Sequence, residues 1–202
     1  MTKMINNKVS LKYCLQQDLN GYQKVSHFFS RLKNVLVTNP INTQYLIYRY
    51  IINLRYSEYH YNNSLLSGYH GVKAILHSVC LIYRYWKLRR ISYKTGVQIP
   101  PNVCGPGLQI WHYGYIIINA KTRIGKNVTL YPGVEIGHKV PGGPCPTIGD
   151  NCFIGAGVKI FGDVHVGDNV TIGANAVVTH DIPKNAVVGG IPVKIIKFKN
   201  EK

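Results

Sequence analysis

Residues 148–178 read IGDNCF IGAGVK IFGDVH VGDNVT IGANAV V, broken here into six-residue units that each begin with Ile or Val. The register extends upstream through Ile118, Ile124, Leu130 and Ile136, and Gly follows the aliphatic residue at 125, 137, 149, 155, 167 and 173. A period of six suits neither an amphipathic helix nor an alternating strand. Glycine at this density also opposes a helix, at ~1 kcal/mol each relative to Ala. A chain that turns a triangular coil satisfies the pattern: three short sides per turn, one aliphatic per side pointing to the axis, a small residue at each corner. The expected fold is mainly β, a left-handed parallel β-helix.

The repeats do not fill the chain. Of 202 residues, 1–95 form a basic, Tyr-rich α-helical N-terminal region, 96–182 the β-helix domain, and 183–202 a tail that leaves the helix. Within the first region, 1–40 suggest short helices with a stop at Asn39-Pro40. Residues 41–61 and 71–94 lack breakers and read as longer helices; Gly96 and Pro100-Pro101 end helix formation. Residues 97–110 are the entry coil. In 138–146 (HKVPGGPCP) five of nine residues are Gly or Pro, so an external loop interrupts the repeats here.

Net charge is +16, concentrated in residues 1–95, where fourteen Lys and Arg face only Asp18 and Glu58. No signal peptide or membrane span is expected. The longest uncharged run, 95–120, is rich in Gly and Pro. Cys14, Cys80, Cys104, Cys145 and Cys152 show no paired or zinc-type spacing. They suit a reducing cytoplasm, with an inner membrane face as a peripheral location. Ten tyrosines lie between 45 and 93 among basic residues. The plain reading is a cap packing on the first coil; the sharper one is a contact with anionic membrane. No nucleic-acid motif accompanies them.

Just before the regular repeats stands Gly107-Leu108-Gln109-Ile110-Trp111-His112-Tyr113-Gly114. A neutral imidazole makes a good base for a hydroxyl because it titrates near working pH. His112 is the candidate catalytic residue. Trp111, Tyr113, Asn119, Glu135 and His138 are candidate acceptor contacts, although Glu135 equally fits an outer-face ion pair and His138 a solvated loop.

The segment from Gly105 to Lys197 resembles the serine acetyltransferase branch of the hexapeptide acyltransferases. The likeness rests on the His112 loop, on Ile154-Gly155-Ala156-Gly157-Val158-Lys159-Ile160, on Ile172 to Val178, and on Gly190-Ile191-Pro192-Val193-Lys194. It implies acetyl-CoA as co-substrate, no metal, and a homotrimer, with a dimer of trimers as a larger form. His112 would act as general base in direct transfer. Gly155, Ala156, Gly173, Ala174 and Lys194 would contact CoA, against a plain reading as corner glycines and a solvated lysine.

Three departures point away from serine. Trp111 stands where the family places an acid before the base, Val97 where it places an Asp fifteen residues upstream, and Cys145 where it places a second His. An indole beside the base suits a sugar ring, and Leu54 to Tyr59 resembles the helical start of the capsule and O-antigen acetyltransferases. The expectation is therefore O-acetylation of a sugar hydroxyl on a surface glycan or its lipid-linked precursor. Serine O-acetylation is the alternative, and a non-catalytic trimeric scaffold the alternative of another class. A γ-carbonic-anhydrase-type metal site needs a close His pair, which His112, His138, His165 and His180 do not provide.

Overall fold

The computed structural model describes residues 5–20, 22 and 44–199. Helix α1 (Lys8–Leu19) opens on an Asn7 cap that accepts from the Ser10 N–H. Helix α2 (Gln44–Tyr61) and helix α3 (Val72–Thr95) form a hairpin through a short 3-10 turn at Leu65–Ser67. Gly96 ends α3 at φ 78° with its N–H on the Ser92 carbonyl. The expected stop at Asn39-Pro40 lies outside the described residues.

The rest is a left-handed parallel β-helix with three faces. Face one stacks β1 (Val97–Gln98), β3 (Ile116–Ile118), β6 (Glu135–Gly137), β9 (Lys159–Phe161) and β12 (Val177–Val178). Face two stacks β4 (Arg123–Ile124), β7 (Thr147–Ile148) and β10 (His165–Val166). Face three stacks β2 (Gln109–Ile110), β5 (Thr129–Leu130), β8 (Phe153–Ile154), β11 (Thr171–Ile172) and β13 (Ala186–Gly189). Register partners show the coil length directly. Ile118 pairs with Ile136 and Ile160 with Val178, whereas Ile136 pairs with Ile160 across the 138–146 loop. That loop therefore leaves the coil and returns without shifting the register.

Every residue of the six-residue register is buried, from Ile118 to Val178. A second inward column lies two residues earlier: Val128, Val134, Cys152, Val158, Val164, Val170 and Ala176 are all buried. Corners are turned partly by asparagine. Asn127, Asn151, Asn169, Asn175 and Asn185 all have positive φ, near 53–63°, a region in which Asn is among the few tolerated side chains. Asn127 Nδ2 donates to Asn151 Oδ1 at 3.1 Å and Asn169 Nδ2 to Asn185 Oδ1 at 2.8 Å.

One boundary is corrected. The expected tail 183–202 does not leave the helix at 183. β13 pairs in parallel with β11, Ile172 opposite Val188, and β14 (Lys194–Phe198) then folds back antiparallel on β13. Ala186 and Val188 continue the buried column, at 0% and 1% exposure, so the core itself carries the chain on for one more side.

The helical region is locked to the first coil by a buried ion cluster. Arg55 Nε donates to Asp18 at 2.6 Å and Nη1 to Glu58 at 2.9 Å. Nη1 also donates to the Cys104 carbonyl (2.8 Å), and Nη2 to the Gly105 carbonyl (2.6 Å) and to Asp18 Oδ1 (3.2 Å). Asp18 also accepts from the N–H groups of Gly107 and Leu108, and Glu58 from that of Asn102. Burial opposes the Arg55 charge, yet the two carboxylates outweigh it and hold the guanidinium well above its ordinary value. The segment Leu54 to Tyr59 thus serves the architecture, because its Arg55 and Glu58 fasten α1 and α2 to the coil that leads into His112.

Candidate active site

His112 sits in the corner between β2 and β3, exposed to solvent. Three further corners lie below it along the same edge, at 131–134, 155–158 and 173–176. Backbone hydrogen bonds tie them into a ladder: Gly133 N to Tyr115 O (2.7 Å), Gly157 N to Pro132 O (2.9 Å) and Asn175 N to Ala156 O (2.7 Å). One edge thus collects His112, Gly155, Ala156, Gly173 and Ala174, and Lys194, opposite Gly189 in β14, stands at its lower end. The sequence separates these residues by as many as 82 positions, from His112 to Lys194; the coil stacks them.

The His112 ring packs against Tyr131, centroids 6.0 Å apart at 59°, and Tyr131 packs on Phe153 at 5.2 Å. Tyr131 and Phe153 escaped the sequence reading. The signal that finds them is the register itself, since 131 and 153 fall on the stack beneath the His112 corner. Trp111 is exposed beside His112 at 37%. Tyr113 packs against the core, and burial pushes its hydroxyl pKa up.

Other expected acceptor contacts lie elsewhere on face one. Glu135, in mid-face, accepts from Lys159 Nζ at 2.7 Å. Lys159 also donates to the Gly133 carbonyl (2.8 Å) and the Tyr115 hydroxyl (3.0 Å). Burial opposes its charge, but the hydrogen bonds to Glu135 and Tyr115 prevail and raise its pKa. Asn119 and His138 occupy the opposite edge, with Asn119 Nδ2 2.9 Å from His138 Nδ1. Within one chain, face one separates them from His112, roughly 10 Å for its three-residue strands. The structure therefore does not bring His138 to His112 in a single subunit.

The glycines divide by role. A Cβ on Gly155 would meet Ala174 N at 2.8 Å and Ile172 O at 2.9 Å. Gly155 is thus required by the stacking of the coils themselves. Ala156 and Ala174 are exposed and small, and they leave a smooth track down the edge on which an extended chain can lie close to the backbone. Among the described residues, no group of three or more His, Cys, Asp or Glu is placed to hold a metal ion, and no helix is long and apolar enough to cross a membrane.

A stacked six-residue coil with a histidine at the head of one edge is the arrangement expected of a hexapeptide-repeat transferase, and the comparisons agree. The family model "Bacterial transferase hexapeptide (six repeats)" matches residues 145–180. A serine acetyltransferase of Staphylococcus epidermidis is 40% identical over 145 residues, covering 67% of this chain and 68% of the relative. That of Staphylococcus xylosus is 39% identical over 145 residues, 66% and 67% of the two chains. A crystal structure of the Neisseria gonorrhoeae serine acetyltransferase superposes with TM-score 0.64 at 26% identity, covering 96% of this chain and 67% of that one. The chain belongs to the serine acetyltransferase family, and it is an enzyme rather than a scaffold.

This overturns the expected sugar acceptor. That expectation rested on Trp111, Val97 and Cys145 standing where ionic groups belong. Val97 is fully buried in β1, a core position with no role in gripping any acceptor. Charged groups are present after all, on Glu135 and Lys159. An exposed indole beside a base does not by itself select a sugar.

Proposed function

We propose that the enzyme transfers the acetyl group of acetyl-CoA to the hydroxyl of L-serine. The observation that carries this reading is the stacking of His112 above Ala156, Ala174 and Lys194 on one edge, in a chain about 40% identical to serine acetyltransferases. The N. gonorrhoeae enzyme has also been solved in complex with serine, at 25% identity and TM-score 0.61.

The chemistry follows from the groups present. Neutral imidazole of His112 accepts the proton of the serine hydroxyl as the oxygen attacks the thioester carbon. The C–S bond then breaks, and the thiolate takes the proton back from the imidazolium. O-acetylserine and free CoA leave, with no covalent enzyme intermediate. The Tyr131 ring fixes the imidazole plane by packing. Ala156 and Ala174 let the pantetheine arm approach the backbone, and Lys194 faces the phosphates. Serine brings an ammonium and a carboxylate that must be paired once desolvated. Glu135 and Lys159 are the ionic partners on the adjoining face.

The working form is a homotrimer. Asn119 and His138 lie on the edge opposite His112, so they reach a base only across a subunit boundary, where they complete the acceptor pocket of a neighbour. Purified protein should form O-acetyl-L-serine from acetyl-CoA and serine and run as a trimer. A monomer with full activity would remove the shared pocket.

A further inference from the structure

Helix α3 carries a second surface, on the side away from α2. Its buried residues, Ala74, Leu81, Leu88, Ile91 and Thr95, face the hairpin and the first coil. The opposite side shows Val72, Ile75, Leu76, Val79, Ile82, Tyr83 and Trp86 at 51–74% exposure. These recur at spacings of three and four, so they form one continuous apolar stripe along the helix. Leu66 and Tyr69, in the preceding connection, are exposed as well. A stripe of this length is unusual on a chain facing only water.

Charge narrows what can cover it. Residues 72–95 contain Lys73, Arg84, Lys87, Arg89, Arg90 and Lys94 and no acid. Arg84 turns back over the Tyr56 ring at 4.2 Å. Three of the others lie on the aromatic end of the stripe: Lys87 over Tyr83 at 4.4 Å, Arg90 over Trp86 at 4.7 Å, and Arg89 over Tyr93 at 5.6 Å. A second copy of the same helix would bring cations against cations with nothing to neutralise them. An anionic bilayer meets both halves of the pattern. Aliphatic side chains enter the acyl boundary, Tyr and Trp sit at headgroup level, and lysine and arginine pair with lipid phosphates.

We propose that α3 seats the enzyme on an anionic lipid bilayer, lying in the interface with Val79 and Ile82 at the centre of the buried stripe. The inference is independent of which acceptor the active site uses.

Flotation of the full chain with vesicles tests it. The protein should co-float with phosphatidylcholine vesicles containing phosphatidylglycerol and stay behind with phosphatidylcholine alone. Arg89→Gln with Arg90→Gln should weaken vesicle binding about thirtyfold, each cation near the surface being worth about a factor of five. Val79→Glu with Ile82→Glu should abolish it while leaving the melting temperature unchanged, since both side chains point away from the fold. In a Trp111→Phe background Trp86 is the only indole left, and its emission should shift blue with anionic vesicles. No flotation at low salt would overturn the proposal. So would flotation that the double Glu variant retains, or capture by an acidic polypeptide without any by vesicles. A wild type that ignores vesicles but halves in mass on Val79→Glu/Ile82→Glu would assign the stripe to a second copy instead.

Discussion

The imidazole of His112 rests on the ring of Tyr131, one coil below, with centroids 6.0 Å apart. If His112 is the base, this ring contact is what orients it among the described residues. His112→Ala should lower turnover about 10²–10⁴-fold, the usual worth of a positioned general base. CoA affinity by calorimetry should stay within about twofold, because the Ala156 to Lys194 track is untouched.

Tyr131 touches the His112 ring, which makes it a positioning residue under the proposed mechanism. Tyr131→Ala should reduce kcat by roughly tenfold with little change in KM for acetyl-CoA. Tyr131→Phe should restore the rate, since the ring supplies the packing against the imidazole. Failure of Phe to rescue would give the hydroxyl a role of its own.

Lys159 and Glu135 form an ion pair of 2.7 Å on face one. Lys159→Met should raise KM for serine by about tenfold to a hundredfold, the worth of a hydrogen bond to a charged group. Steady-state kinetics should show KM for acetyl-CoA unmoved.

Arg55 holds α1, α2 and the first coil together from a fully buried position. Arg55→Met leaves Asp18 and Glu58 buried without a cation and should cost about 3–5 kcal/mol in urea unfolding. Restoring stability by adding Asp18→Asn and Glu58→Gln would show that the stranded charges, not lost packing, set the cost.

His60 and His77 face each other at 3.0 Å between Nδ1 atoms in the α2–α3 hairpin. Burial, then the neighbouring His77 and Arg84, depress the His60 pKa to about 4. The folded state therefore disfavours its protonation. The stability this lends is present above the ordinary value of 6.5 and is lost as pH falls towards 4. Melting temperature should drop across that window, and His60→Gln should flatten the drop.

The fold was legible because its signal is periodic. Ten aliphatics in one register leave one geometry, and the 138–146 loop stands out as a break in it. The second inward column at Val128 to Ala176 was equally available, two residues ahead of the first. The continuation through Ala186 and Val188 was obscured because Val188 follows its register partner Ile172 by 16 residues, not by the 18 of a full coil. The site was legible in part. His112 and the corner glycines carry motifs, whereas Tyr131, Phe153 and Lys159 join them only through stacking of coils. Arg55, Asp18 and Glu58 showed nothing locally; their cluster closes over thirty-seven residues of sequence. The acceptor was misread because uncharged side chains at Trp111, Val97 and Cys145 do not exclude charge on another coil, where Glu135 and Lys159 stand.

The most direct measurement is product analysis with purified enzyme, acetyl-CoA and L-serine at saturating concentrations. O-acetyl-L-serine and free CoA should form in equal amounts with wild type, and His112→Ala should form neither above background. Wild type that binds CoA as a trimer yet yields no O-acetyl-L-serine would contradict serine as the acceptor.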